Sequence, residues 1–334
     1  MYLKKVHIQN IKSIVDFEME FDEPAGWHVL IGDNGAGKST IVKSIALGLI
    51  GKEQSMGLRT DWKDWLNRTA SKGEIFLEVQ NSEDDSPGFK HNADTQPCNK
   101  LEFHRDSTAV ILLEESILLG QRYLEDKGWF SAAFGPFRRF EGGNPEWKKV
   151  FEALPRLGAH LSIFGEDVAL TESLEWLVKL NYQALEKHTD SFQLDCIKAL
   201  VNSADFLPNG MRLERISSEG VQFANQEGEL LSVGLLSDGF RSILSMTFEL
   251  IRQMVRSYNP HQVFKNIQSG EMIIDLPGVV LIDEIDVHLH PNWQTRIGQW
   301  FTKYFPKIQF IVTTHSPLIC RASEKGSIWR LVAP

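Results

Sequence analysis

Residues 32–40 read GDNGAGKST. The stretch matches G-x-x-x-x-G-K-[ST], a pattern whose meaning depends on its flanks. Trp27 to Ile31 before it is a short apolar run that reads as a strand, and Ser39 to Leu49 after it has helical spacing with few breakers, ending near Gly51. Strand, glycine loop and helix follow in the order a phosphate loop needs. Gly32, Gly35 and Gly37 let backbone N–H groups turn inward around a nucleoside triphosphate, with Asn34 and Thr40 in the same binding stretch. Lys38 would pair with the β and γ oxygens, and Ser39 would offer its hydroxyl to Mg²⁺.

A phosphate loop of this kind needs a carboxylate at a neighbouring strand end. VVLIDE, Val279 to Glu284, is an apolar β-branched run ending in two acids, as a strand buried in a parallel sheet should look. Asp283 is expected to hold the metal, directly or through water, and Glu284 to polarise the attacking water. Adjacent strand residues point to opposite faces, so neither acid replaces the other. A second apolar strand, Ile308 to Val312, ends in TTHSP, where His315 can reach the γ-phosphate from the sheet's carboxyl edge. His288 and His290 form H-x-H without a third ligand, which is weak for zinc and fits a loop better.

LLSDGFRS, residues 235–242, opens a long helix running from Gly239 to about Tyr258. Ser237 is a good N-cap, Asp238 follows it, and Gly239 lets a ligand approach the backbone, so free N–H groups and a positive dipole end face an anion. The triphosphate is already provided for by Gly32 to Ser39. This second site therefore calls for a phosphate arriving from elsewhere.

The chain has 334 residues, 42% hydrophobic and 24% charged, which suits an ordinary globular protein with one large core and a subdomain or two. Cys98, Cys196 and Cys320 are far apart without metal or redox spacing, and no secretory segment is evident, so the cytoplasm is expected. The longest apolar runs, near Ile41 to Ile50 and Val279 to Ile282, fall well short of the roughly 20 residues of a membrane span. No membrane association is expected. A net charge of −9 argues mildly against a stand-alone nucleic-acid binder.

Further strands are expected at Leu3 to Ile8, Val15 to Phe21, Glu74 to Gln80, Ala109 to Leu113, Trp129 to Phe134, Arg212 to Ile216, Val221 to Phe223, Glu229 to Leu231 and Ile328 to Val332. Asn81 to Lys100 reads as an exposed loop. Between Pro145 and Leu207 the pattern is helical, with one helix starting at Thr171 and another spanning Asp190 to Phe206; a third helix follows from Pro291 to Tyr304. The fold class is α/β: a wound, mainly parallel sheet with an antiparallel β subdomain and a compact helical insert. Three parts are expected: an N-terminal lobe at 1–140, the helical insert or lid at 141–210, and a C-terminal lobe at 211–334.

The order of these motifs resembles the ABC-type ATPases, in particular the soluble branch of Rad50, SMC, RecF and overcoming-lysogenization-defect (OLD) proteins. The resemblance makes GDNGAGKST the Walker A loop, LSDGFRS the signature, VVLIDE the Walker B strand, Asp286 to Pro291 the D-loop and His315 the switch histidine. It implies head-to-tail dimers in which each signature closes over ATP held by the other protomer, with ATP and Mg²⁺ as cofactors. LSDGFRS, DEIDVHLHPNWQ, FIVTTHSP and AFGPFRR are most similar to the Septu-type (PtuA) and retron-associated defence ATPases, which implies an HNH nuclease partner of the PtuB kind and DNA reached directly or through that partner.

Three departures bear on that expectation. The signature carries Asp238 and Phe240 where many relatives have Gly and Gln, so the phosphate contact in trans can differ and turnover be slow. Gln121 and the loop Gly135 to Arg139 compete for the Q-loop, with Arg138 and Arg139 as phosphate contacts, DNA contacts or a solvated turn. Fewer than a hundred residues separate Arg139 from the signature, too few for a long coiled coil, and the 19 residues after His315 leave no room for a Toprim nuclease, unless the sequence is truncated. Any nuclease is then expected to act in trans. Two other readings remain: a RecF- or Rad50-like repair ATPase working directly on DNA, and a slowly hydrolysing nucleotide-gated scaffold.

Overall fold

A computed structural model of the chain describes residues 1–58, 60–85, 97–106, 109–116, 129–138, 153–165, 171–187, 191–203, 207 and 210–332. Thirteen strands follow one another along the described chain: β1 Tyr2–Ile11, β2 Ile14–Glu20, β3 Gly26–Gly32, β4 Lys72–Gln80, β5 Cys98–Arg105, β6 Val110–Ser116, β7 Ser131–Phe134, β8 Arg212–Ser217, β9 Gly220–Ala224, β10 Leu230–Ser232, β11 Gly278–Ile282, β12 Ile308–Thr314 and β13 Gly326–Leu331. They form three sheets. The central one is parallel throughout, in the order β13-β3-β12-β11-β7. An antiparallel sheet runs β2-β1-β4-β5-β6, and a small one β10-β9-β8.

The parallel sheet divides two cores, and the alternation of side chains along each strand shows why. In β11, Val280 and Ile282 face one core while Val279 and Leu281 face the other. The first core takes in the helix Asp238–Ser257, from Phe240 to Met254, together with Trp300 and Phe301 of the helix Ile297–Tyr304. The second is filled by the helix Lys38–Ser55 and the inner face of the antiparallel sheet. A strand covered on both sides has no room for polar alternation, so β11 and β12 are buried at every position.

Register then decides where the chemistry gathers. Val312 pairs with Ile282, Thr314 with Ile31, and Ile282 with Phe134, so β3, β12, β11 and β7 all end at the same sheet edge. The residues just past those ends become neighbours despite lying far apart in the chain.

Some expectations need correction. The helix after the phosphate loop does not end near Gly51 but passes it with a kink, Gly51 at φ 74° and ψ 170°, and continues to Ser55. The expected helix Pro291 to Tyr304 is two helices, Pro291–Gln294 and Ile297–Tyr304. The expected loop Asn81 to Lys100 gives up its end to β5, where Asn99, Leu101 and Phe103 are buried in alternation while Lys100 and Glu102 point outward. Charges on the solvated face hid that strand.

Within the expected insert, Pro155–Phe164, Thr171–Lys187 and Phe192–Val201 are helices. The first packs beside β7 and the phosphate-loop helix, with Leu157 and Leu161 in the second core. The other two contribute Leu177, Ile197 and Leu200 to the first core.

Candidate functional site

The phosphate loop leaves β3 at Gly32 and enters its helix at Lys38. Gly35 and Gly37 have φ of 82° and 88°, the left-handed region that glycine occupies without strain. At Gly37 a Cβ would also lie 2.4 Å from Ile14 Cδ1, so the turn between β1 and β2 sits against the loop. Lys38 is 5% exposed, and its ammonium donates to the carbonyls of Gly32 at 2.7 Å and Asp33 at 2.9 Å. Burial pushes the Lys38 pKa below its ordinary value, while the carboxylates of Glu284, Asp283, Asp286 and Asp33 pull it back up. The ammonium is thus held along the glycine loop, the stretch that the sequence motif assigns to phosphate.

Asp283, just beyond β11, is 2% exposed. One of its carboxylate oxygens accepts from the Ser39 hydroxyl at 3.0 Å and from the Thr313 hydroxyl at 2.6 Å. Thr313 in turn accepts from the Glu284 N–H at 2.7 Å, so one threonine sets the spacing of both acids. Glu284 is partly exposed and takes φ 47°, an uncommon conformation for a residue with a Cβ. That turn ends the strand pattern at this point. Thr314 donates to Asp286 at 2.5 Å, and the backbone N–H of His315 reaches the same carboxylate oxygen at 3.3 Å. His315 is exposed, with Nδ1 3.5 Å from the Lys38 ammonium. The structure therefore brings Lys38, Ser39, Asp283, Glu284 and His315 to one sheet edge.

The two threonines ahead of His315, Thr313 and Thr314, position Asp283, Glu284 and Asp286. Beside the loop, a groove of about 440 Å³ is lined by Lys12, Ser13, Lys63, Asp64, Asn67 and Arg68, a feature that sequence reasoning missed because those residues look like solvated turn.

The signature segment is placed differently. Ser237 and Asp238 are exposed at the N-terminus of the helix Asp238–Ser257, and Ser237 has extended φ and ψ of −62° and 152° without a side-chain capping bond. Asp238 pairs with Arg241 one turn on. Among the described residues, no hydrogen bond joins Ser237, Asp238 or Gly239 to Gly32–Thr40. Gly239 has a reason to be glycine besides the approach of a ligand: a Cβ there would lie 2.5 Å from the His288 carbonyl oxygen. Phe240 is buried against Trp293, ring centroids 6.2 Å apart, so packing accounts for that departure from the signature pattern. His290 accepts from the Asn292 N–H at 3.3 Å as an N-cap, a loop role.

Arg138 is not a solvated turn, and it is not free to meet phosphate or DNA. It is 3% exposed and donates to the Ser242 hydroxyl and to the carbonyls of Gly135, Asp283 and Glu284 at 2.8 to 3.1 Å. Burial draws its pKa down to about 10, against the opposing pull of the Asp283, Asp286 and Glu284 carboxylates. Gln121 and Arg139, the other Q-loop candidates, lie outside the described residues. Among the described residues no helix is long and apolar enough to cross a membrane.

A parallel sheet with a phosphate loop on one strand, a carboxylate pair on another and a histidine between them defines an α/β P-loop ATPase head. The chain belongs to the family described as "AAA domain, putative AbiEii toxin, Type IV TA system", which matches residues 120–321, and the family described as "AAA ATPase domain" matches residues 1–129. It is similar to Septu protein PtuA of Bacillus mycoides, 26% identical over 98% of this chain and 40% of the relative, and to the Retron Ec83 probable ATPase of Escherichia coli, 25% identical over 98% of this chain and 70% of the relative. The chain thus spans well under half the length of the first of these. Its fold is also that of the Smc head domain solved with the C-terminal domain of ScpA derived from Pyrococcus furiosus, at a TM-score of 0.56 and 15% identity, covering 96% of this chain and 92% of that one.

Proposed function

We propose that the chain binds and hydrolyses ATP at the edge where β3, β11 and β12 end. The observation that carries this is the Ser39–Asp283 hydrogen bond, which ties the phosphate loop to the carboxylate strand. A serine hydroxyl and a buried carboxylate oxygen side by side are the hard oxygen donors that suit Mg²⁺, and Ser39 and Asp283 would hold it. When bound, the metal would neutralise charge on the β and γ phosphates. Gly32, Asn34, Gly35, Gly37 and Thr40 would complete the phosphate cradle, and Lys38 would move from the loop carbonyls to the phosphate oxygens. Glu284 would accept a proton from the attacking water, while His315 would donate a hydrogen bond to the γ-phosphate. The groove along Lys12 and Arg68 would take the ribose and base.

Ser237, Asp238 and Gly239 would act on a second protomer's ATP in a head-to-tail pair. The exposure of Ser237 and Asp238, and the lack of an in-chain bond from this segment to the phosphate loop, support this reading. The likeness to Septu and retron ATPases supports a role in anti-phage defence, in which the nucleotide state controls an HNH-type nuclease that cuts DNA. Phosphate release by the purified chain with Mg²⁺ and ATP tests the activity. Turnover abolished by Lys38→Ala is the expected result, and equal turnover in that variant would overturn the site. Co-purification of a stoichiometric HNH nuclease from native cells tests the partner; its absence would discard the nuclease-control reading.

A further inference from the structure

Arg138 follows β7, whose partner is β11, so the loop Gly135–Arg138 lies beside the end of the carboxylate strand. Its guanidinium spends its donors inside the chain. Nε donates to the Ser242 hydroxyl at 3.1 Å, Nη1 to the carbonyls of Gly135 at 2.9 Å and Asp283 at 2.8 Å, and Nη2 to the Glu284 carbonyl at 3.0 Å. A buried cation is costly unless its donors are met by acceptors, and here they are. Here it gathers two successive carbonyls at the point where Glu284 takes its left-handed conformation. That conformation needs surroundings that over-determine it.

Ser242 stands on the helix that the signature residues open, little more than a turn past Ser237. The same helix start meets the carboxylate segment again on the far side of Glu284, where Gly239 abuts the His288 carbonyl. Glu284 is therefore bracketed by two contacts from one helix start: Asp283 and Glu284 through Arg138, and His288 directly.

We propose that Arg138 is a positioning residue which, through Ser242, couples the start of the signature helix to the hydrolytic carboxylates of the same chain. Resting on the hydrolytic reading above, the inference adds regulation to it. An anion docking on Ser237–Gly239 shifts the helix start, Arg138 carries the shift to the backbone of Asp283 and Glu284, and turnover at the chain's own ATP responds. ATP dependence of turnover is then cooperative, with the coupling held within each chain rather than only across the interface.

Arg138→Ala strips a buried network and can unfold the chain, so Ser242→Ala and Arg138→Lys carry the test. Ser242→Ala keeps the carbonyl bonds and cuts the tie to the helix. Its kcat should fall about tenfold with KM moved less than about threefold, and its Hill coefficient should drop toward one. Arg138→Lys loses the planar fork and should show the same losses with faster amide exchange at residues 283–287 before any nucleotide is added. Wild-type turnover with an unchanged kcat and Hill coefficient in Ser242→Ala overturns the coupling and leaves the ATPase reading standing. A wild type that never releases phosphate overturns the ATPase reading instead; amide exchange then decides, and unchanged exchange at 283–287 in Arg138→Lys overturns the positioning role.

Discussion

The two glycine-hinged helix starts in this chain look alike in sequence and differ in what their glycines do. Gly37 has a positive φ and a neighbouring strand turn against it, so the backbone conformation itself demands glycine. Gly239 has no positive φ; it is glycine because the His288 carbonyl leaves no space for a Cβ. The first start is tied into a finished network, with Ser39 on Asp283 and Lys38 near His315. The second shows two exposed residues and one local ion pair, Asp238 with Arg241. One helix start is complete within the chain, while the other is shaped by the chain and left open toward solvent.

The strongest way to break this comparison is at the finished end. Glu284→Gln keeps the shape and the Thr313 bond to its backbone N–H, yet removes the acceptor for the water proton. Turnover should fall by about two to four orders of magnitude with nucleotide binding retained. Near-normal phosphate release from this variant would remove Glu284 from the reaction.

Next in size is a mixing experiment that pits the two starts against each other. Lys38→Ala and Ser237→Arg chains should each be nearly inactive alone, and a mixture should recover up to about a quarter of wild-type turnover through hybrid pairs in which one composite site is intact. Absence of recovery at every ratio would show that the exposed start serves no partner's site.

A smaller effect separates the two glycines. Gly239→Ala pushes a methyl into a backbone carbonyl, which cannot swing aside as a side chain can, and should destabilise the fold by about 1–3 kcal/mol in a urea titration. A variant as stable as wild type would mean that the backbone at His288 yields freely, and the rigid contact between helix start and that loop would have to be given up.

The sequence made one start far more legible than the other. GDNGAGKST, VVLIDE and TTHSP each lie at a strand end, where local pattern and the proposed roles coincide, and the parallel register then brings them together. The role of Arg138 was illegible because its acceptors, Ser242 and the carbonyls after β11, are more than a hundred positions away. Two adjacent arginines after Gly-Pro look the same whether they face water or are buried. Gly239 was legible as a close approach, but not what it approaches: the partner is the backbone carbonyl of His288, which no side-chain pattern announces. Lys100 and Glu102 misled in the opposite direction, their charge concealing a strand that buries alternate residues on its other face.

The smallest expected effect distinguishes the two sides by pH. His160 lies on the helix Pro155–Phe164, whose Leu157 N–H donates to Gln54 of the phosphate-loop helix at 2.9 Å. Its ring is fully buried, with Nδ1 2.8 Å from the Arg156 carbonyl, and burial holds its pKa down at about 3 from the ordinary 6.5. A lowered pKa means that the folded chain keeps a neutral imidazole while the unfolded chain takes up a proton below 6.5. Stability is therefore full above that value and is lost as pH falls from 6.5 toward 3. Between about pH 7.5 and pH 5.5 the loss should be roughly 1.4 kcal/mol, read as a falling urea midpoint. His160→Gln keeps a donor for the Arg156 carbonyl without a titrating ring, so its midpoint should fall less over the same interval. An equal fall in both proteins would assign the acid sensitivity to other groups and leave the phosphate-loop side no more sensitive to acid than the signature side.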